Sequence, residues 1–121
     1  GEKPVSKGKI TGAMMVLGER NALLTMTMSQ EDAAMIVAVM TGVVPENITN
    51  EESYDGVAEL VNMIAGRAKA LLVGTSYHYR ITPPITIVGD QHFIVFKKQA
   101  PRVTMYFNAD ATNIDLELTY L

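Results

Sequence analysis

The 121 residues contain no cysteine and no tryptophan. The missing thiols exclude disulfides, thiolate catalysis and cysteine-built zinc sites together. A cysteine-free chain also fits a reducing compartment, so the expected location is cytoplasmic. Basic runs are missing too. With 10 Lys and Arg against 13 Asp and Glu, the formal net charge is −3. Nothing offers the electrostatic footprint that a phosphate backbone requires, so nucleic acid is not an expected partner. No apolar run approaches the roughly 20 residues that span a bilayer, and no signal peptide is visible, so no membrane association is expected. The two histidines, His78 and His92, lack neighbours at ligand spacing and read as strand residues, not as ligands of a metal. There is no glycine-rich phosphate loop and no Ser-His-Asp pattern.

What is present is globular. Hydrophobic residues make up 48% and charged residues 19% of the chain, enough for one core in one domain spanning residues 1–121. The eight methionines read mostly as core filler. Ile10 to Leu17 and Ala22 to Met28 read as a strand hairpin around Gly18-Glu19-Arg20-Asn21, although Gly12 weakens the first strand. Ser29 is an N-cap, with Glu31 and Asp32 in the first turn of a helix that runs through Met40 and ends at Gly42. Its expected buried stripe is Ala33, Ile36, Val37 and Met40. Thr49 and Glu52 have the spacing of a capping box and open a second helix that reaches about Leu72, with Gly74 ending it. Its expected buried stripe is Val57, Leu60, Val61, Ile64, Ala68 and Leu71. Gly56 and Gly66 lie inside this helix and suggest close approach by another element or by a partner.

The last third is β. Tyr77 to Ile81 reads as a short strand before Pro83-Pro84. Ile85 to Val88 and Gln91 to Lys97 flank a Gly89-Asp90 turn. Arg102 to Asn108 and Asn113 to Leu121 form another pair, with Ile114, Leu116, Leu118 and Tyr120 alternating against Asp115, Glu117 and Thr119. The expected fold class is therefore α+β: a mostly antiparallel sheet with two principal helices packed on it.

Chemistry concentrates in the second helix. Asp55, Glu59 and Asn62 stand at i, i+4 and i+7, so a helix points all three from one face. An amphipathic helix of this kind is anchored by its apolar back and offers an acid and a carboxamide outward. By spacing alone, such a face is most simply solvated.

Further residues add to that spacing. Asp55, then three residues, Glu59, two residues, Asn62, and 21 residues to Pro84 match a signature without a gap. In this the chain resembles the CheC/CheX/FliY family of bacterial chemotaxis phosphatases. A single copy of the signature, a helix ending Met40-Thr41-Gly42 and the run Asn62-Met63-Ile64-Ala65-Gly66 are most similar to CheX. CheX-like chains begin with an N-terminal helix that is not found before Ile10, and this chain starts at Gly1 without an initiator Met. Either that helix has been removed or the subfamily differs.

The resemblance implies a phosphatase acting on the aspartyl phosphate of a CheY-type response regulator. An acyl phosphate is already reactive, so such an enzyme needs to place a water in line, not to supply a strong nucleophile. Asn62 is the implied water-orienting residue, since a carboxamide both donates and accepts and keeps its charge state near neutral pH. Glu59 is the implied partner of the receiver's active-site lysine. Asp55 either contacts the partner or supports the helix through its dipole, and Pro84 fixes its loop against the helix. No cofactor is implied on this chain; Mg2+ is expected on the partner receiver domain. A homodimer through the β elements is implied as well. The alternative reading is a non-catalytic module that binds a response regulator or sits in a flagellar-switch-type assembly.

Overall fold

In the computed structural model, which describes residues 8–90, 92, 100–109 and 112–121, strands and helices follow in the order β1 (Lys9–Leu17), β2 (Ala22–Ser29), α1 (Gln30–Thr41), a 3-10 turn (Pro45–Asn47), α2 (Asn50–Leu71), β3 (Arg80–Ile81), β4 (Ile85–Gly89), β5 (Arg102–Ala109) and β6 (Thr112–Tyr120). The six strands form one sheet in which β1, β2, β6 and β5 are successive neighbours, and every pairing is antiparallel. β3 and β4 run one after the other along the free side of β1. The architecture is two helices on a mostly antiparallel sheet, the α+β class expected from the strand alternation.

Both helices begin as their sequence signals dictate. The Ser29 hydroxyl accepts from the Asp32 amide, and Gly42 closes α1 in the left-handed region at φ 77°. Thr49 and Glu52 complete a reciprocal capping box at the start of α2. Between the layers lies one core. Ile10, Met14, Leu24, Met26, Met28 and Leu116 rise from the sheet against Ala33, Val57, Val61 and Ala65 of the helices. The methionines at 14, 26 and 28 are gap-filling core residues, in keeping with their flexible side chains. On the far face of the sheet Thr11, Thr25 and Thr119 are also buried, and the Thr11 and Thr27 hydroxyls meet at 2.8 Å. That face is polar yet more enclosed than the alternation of β6 implies.

Four expectations need correction or placement. The strand expected over Tyr77 to Ile81 shrinks to Arg80–Ile81. Thr75 is the reason: its amide and its hydroxyl both donate to the Leu72 carbonyl, and it accepts from the amides of Tyr77 and His78, so the chain turns there and His78 is not in a strand. Nor is His92 assigned to a strand; its Nε2 lies 2.5 Å from Thr11 Oγ1.

The buried stripes are narrower than expected. In α2 the fully buried residues are Ser53, Val57, Val61 and Ala65, an unbroken run at spacing four, while Ile64 and Leu71 stay 36% and 72% exposed. The cause lies in the unequal helix lengths of 12 and 22 residues. α1 starts beside the start of α2, where Gln30 hydrogen-bonds Asn50, and ends before it reaches the flank that carries Ile64 and Leu71. In α1, Met40 is exposed and Ala38 is buried instead. Apart from His92, the strand expected over Gln91 to Lys97 lies outside the described residues, and with it the far arm of the Gly89-Asp90 hairpin.

Candidate functional site

Helix α2 lies against β1 at Gly12. A Cβ at that position would stand 3.0 Å from the Val57 carbonyl oxygen and 3.1 Å from a Val57 methyl. The glycine that weakens the strand pattern is thus what lets the helix sit down on the sheet. On one flank α2 meets α1 at Gly56, where a Cβ would fall 2.2 Å from a Val37 methyl. On the opposite flank the β3–β4 segment reaches it with two hydroxyls. Tyr79 Oη donates to the Ala65 carbonyl at 2.7 Å, and Thr86 Oγ1 donates to the Tyr54 carbonyl at 3.0 Å. Tyr79 reads in sequence as an ordinary strand residue. No local signal marks either bond, because both depend on chain brought together by the fold.

With the sheet below and a neighbour on each flank, one face of α2 remains uncovered among the described residues. Asp55, Glu59, Asn62 and Gly66 share it, as their spacing of three and four requires. Asp55 and Glu59 are exposed and Asn62 is half-buried. Among the described residues, none of the three side chains makes a hydrogen bond or an ion pair within the chain. The acid and the carboxamide are therefore displayed with their hydrogen-bonding capacity unspent. Gly66 has nothing within 4 Å of a modest side chain's first atom, unlike Gly56, so the expected close approach is met inside the chain at one glycine only.

Pro84 lies outside α2. It is half-buried in the break between β3 and β4. Just before it, Thr82 is tied to Met15 twice: its hydroxyl accepts from the Met15 amide at 2.8 Å, and its amide donates to the Met15 carbonyl at 3.1 Å. Pro83 and Pro84 have no amide hydrogen, so the ladder to β1 stops and resumes at Ile85.

Two titrations are displaced. The Thr49 amide, and secondarily its hydroxyl, hold the Glu52 carboxyl below the usual carboxylate range. Burial pushes the Tyr79 phenol up from its ordinary value. Among the described residues, no group of three or more His, Asp or Glu side chains is arranged to hold a metal ion, and no helix is long and apolar enough to cross a membrane.

The fold and the open face define an α+β domain that displays an acid and a carboxamide from one rigid helix. The family model for the chemotaxis phosphatase CheX matches residues 10–108, and the chain belongs to that family. No curated protein matches the sequence. Among solved structures, the chemotaxis protein CheX of Vibrio vulnificus is 27% identical with a TM-score of 0.80, covering 99% of this chain and 80% of that one. A CheC-like superfamily protein from Shewanella sp. PV-4 is 29% identical with a TM-score of 0.80, covering 100% and 79%. The fold is also that of CheX from Borrelia burgdorferi, solved in complex with CheY, BeF3 and Mg2+, at 20% identity and a TM-score of 0.75 over 99% of this chain and 79% of that one.

Proposed function

We propose that this protein is a protein aspartyl-phosphate phosphatase that hydrolyses the phosphoryl group of a CheY-type response regulator in the cytoplasm. One observation carries the reading. In a chain of the CheX family, Glu59 and Asn62 stand, among the described residues, with unspent hydrogen-bonding groups on the face of α2 that the sheet, α1 and the β3–β4 segment leave uncovered. The Borrelia burgdorferi relative, which was solved with CheY, supports a partner of this kind.

The chemistry follows from the reactivity of an acyl phosphate. Its leaving group is a carboxylate, so the barrier lies in alignment and charge, not in breaking a strong bond to a poor leaving group. Asn62 enters the receiver's site, and its carboxamide oxygen accepts a hydrogen bond from a water while its NH2 donates to an oxygen of the reacting group. The water oxygen forms a bond to phosphorus as the bond from phosphorus to the aspartate oxygen breaks. Inorganic phosphate and a free carboxylate result, and the water's proton passes to the phosphate or to solvent. Glu59, one turn earlier, pairs with the receiver's active-site lysine and so sets the register of Asn62. Mg2+ belongs to the receiver's own carboxylates. Asp55 lies beyond the first turn of α2, where Glu51 and Glu52 already face the dipole, so we assign it to the edge of the partner contact. Pro84 shapes the segment that braces the helix. We further propose that the chain forms a homodimer through β5, one of the two edges of the sheet among the described strands.

The test is phosphate release from the cognate phosphorylated regulator. Asn62→Ala is expected to keep the fold and most of the binding while losing acceleration by about 100-fold, the scale of a lost positioning contact. Normal phosphate release by Asn62→Ala sinks the assignment. Tight binding without any turnover by the wild type instead selects the non-catalytic binding module.

A further inference from the structure

The two hydroxyl bonds to α2 are additional to those the helix needs. An interior helix carbonyl already accepts from the amide four residues on, and Tyr79 and Thr86 use the second lone pairs of Ala65 and Tyr54. Phe and Val have nearly the same shapes as Tyr and Thr, so filling space does not require the oxygens. Their placement is informative. Tyr54 and Ala65 are about three turns apart and lie on the same flank of the helix. Asp55, Glu59 and Asn62 fall between them in sequence and face elsewhere.

Resting on the phosphatase reading above, we infer that Tyr79 and Thr86 are positioning residues: two pins that fix the roll of α2 about its own axis, and with it the reach of Glu59 and Asn62. Burial of Val57 and Val61 is non-directional, and the close fits at Gly12 and Gly56 restrain the helix from the sheet and from α1, which leaves the flank of Tyr54 and Ala65 to the two hydroxyls. One hydrogen bond leaves a pivot. Two on one flank, at separate heights, resist rotation. The required precision is high. A side-chain tip lies roughly 6 Å from the helix axis, so a roll of about 10° moves it by about 1 Å. A displacement of about 1 Å at a reacting centre can cost as much as about 100-fold in rate.

The inference also gives Pro84 a task. Tyr79 and Thr86 belong to one segment, and the proline break lies between them. Thr82 anchors the near side of the break to Met15, and Ile85 resumes the ladder on the far side opposite Ala13. The break sets the offset between the two hydroxyls, so a residue that makes no contact with a reacting group still controls where the reacting groups stand.

The experiment compares Tyr79→Phe, Thr86→Val, the double variant and Thr86→Ser with the wild type and Asn62→Ala. Phosphate release from the cognate phosphorylated regulator is separated into kcat and KM, and hydrogen exchange is followed along α2. The double variant is expected to lose about tenfold or more in kcat with KM held within about twofold, the pattern of lost alignment rather than lost binding. Thr86→Ser, which keeps the donor, is expected to behave as the wild type, and amides of α2 exchange faster only where a pin is lost. Wild-type kcat in the double variant, or equal impairment by Thr86→Ser and Thr86→Val, overturns the inference. Equal phosphate release by the wild type and Asn62→Ala marks failure of the phosphatase reading itself. In that event unchanged exchange along α2 in the double variant also overturns the pins, and faster exchange upholds them as a restraint on the helix.

Discussion

Gly56 and Gly66 stand in the same helix with the same backbone and differ only in what surrounds them. Any helix-interior glycine replaced by alanine gains about 1 kcal/mol from backbone entropy. At Gly66 nothing opposes that gain, since the space around a Cβ is open to 4 Å. At Gly56 the new methyl meets Val37 at 2.2 Å, and overpacking a closed helix contact costs about 1–3 kcal/mol. Gly66→Ala is therefore expected to raise the urea midpoint, and Gly56→Ala to leave it unchanged at best and otherwise to lower it, with a net loss of up to about 2 kcal/mol. Val37→Ala in the Gly56→Ala background makes room for the methyl, and recovery of part of the loss identifies the clash as the cause. Stabilisation at both glycines contradicts the close approach at Val37.

The start of α2 shows what an element takes from its own sequence. Thr49 and Glu52 satisfy each other's backbone amides at 3.0 and 3.1 Å, and Thr49→Ala is expected to cost about 1 kcal/mol of stability. The carboxyl of Glu52 is held below the usual range by the amide and hydroxyl of Thr49. A depressed folded-state pKa means that the carboxylate adds stability above its unfolded pKa and loses it as pH falls through the folded one. The melting temperature of the wild type should accordingly fall faster than that of Glu52→Gln as pH drops below about 4, since the amide does not titrate. Parallel melting curves over that range remove the carboxylate from the cap.

These caps were legible because each is a contact between residues three apart. So were the β5–β6 pair, from the alternation of Ile114, Leu116 and Leu118, and the shared face of Asp55, Glu59 and Asn62. The buried limits of α2 were not, because Ile64 and Leu71 depend on where α1 happens to stop. Nor were the bonds from Tyr79 and Thr86, which exist only once β3 and β4 lie beside the helix.

At the scale of the molecule, coverage of the sheet is uneven. The helices pack over β1, β2 and β6 but make no contact with β5 among the described residues. Val103, Met105 and Phe107 pair with Leu118, Leu116 and Ile114, and so continue the core face of the sheet past the end of its cover. They remain 52%, 48% and 48% exposed. Among the described residues β5 is an edge strand with an apolar face, and such a strand offers both backbone groups to pair and surface to bury. In the homodimer proposed above, two β5 strands that meet would supply both, at an element distinct from α2. Met105→Lys puts a charge in the middle of that stripe. The wild type is expected to sediment as two chains and Met105→Lys as one, with phosphate release per chain unchanged, because the Glu59 and Asn62 face is carried by a helix that does not touch β5. A Met105→Lys protein that stays dimeric, or a monomeric wild type, moves the contact away from β5. Loss of phosphate release on dissociation would mean that the second copy helps to build the site, and that one α2 is not enough to complete the receiver's chemistry.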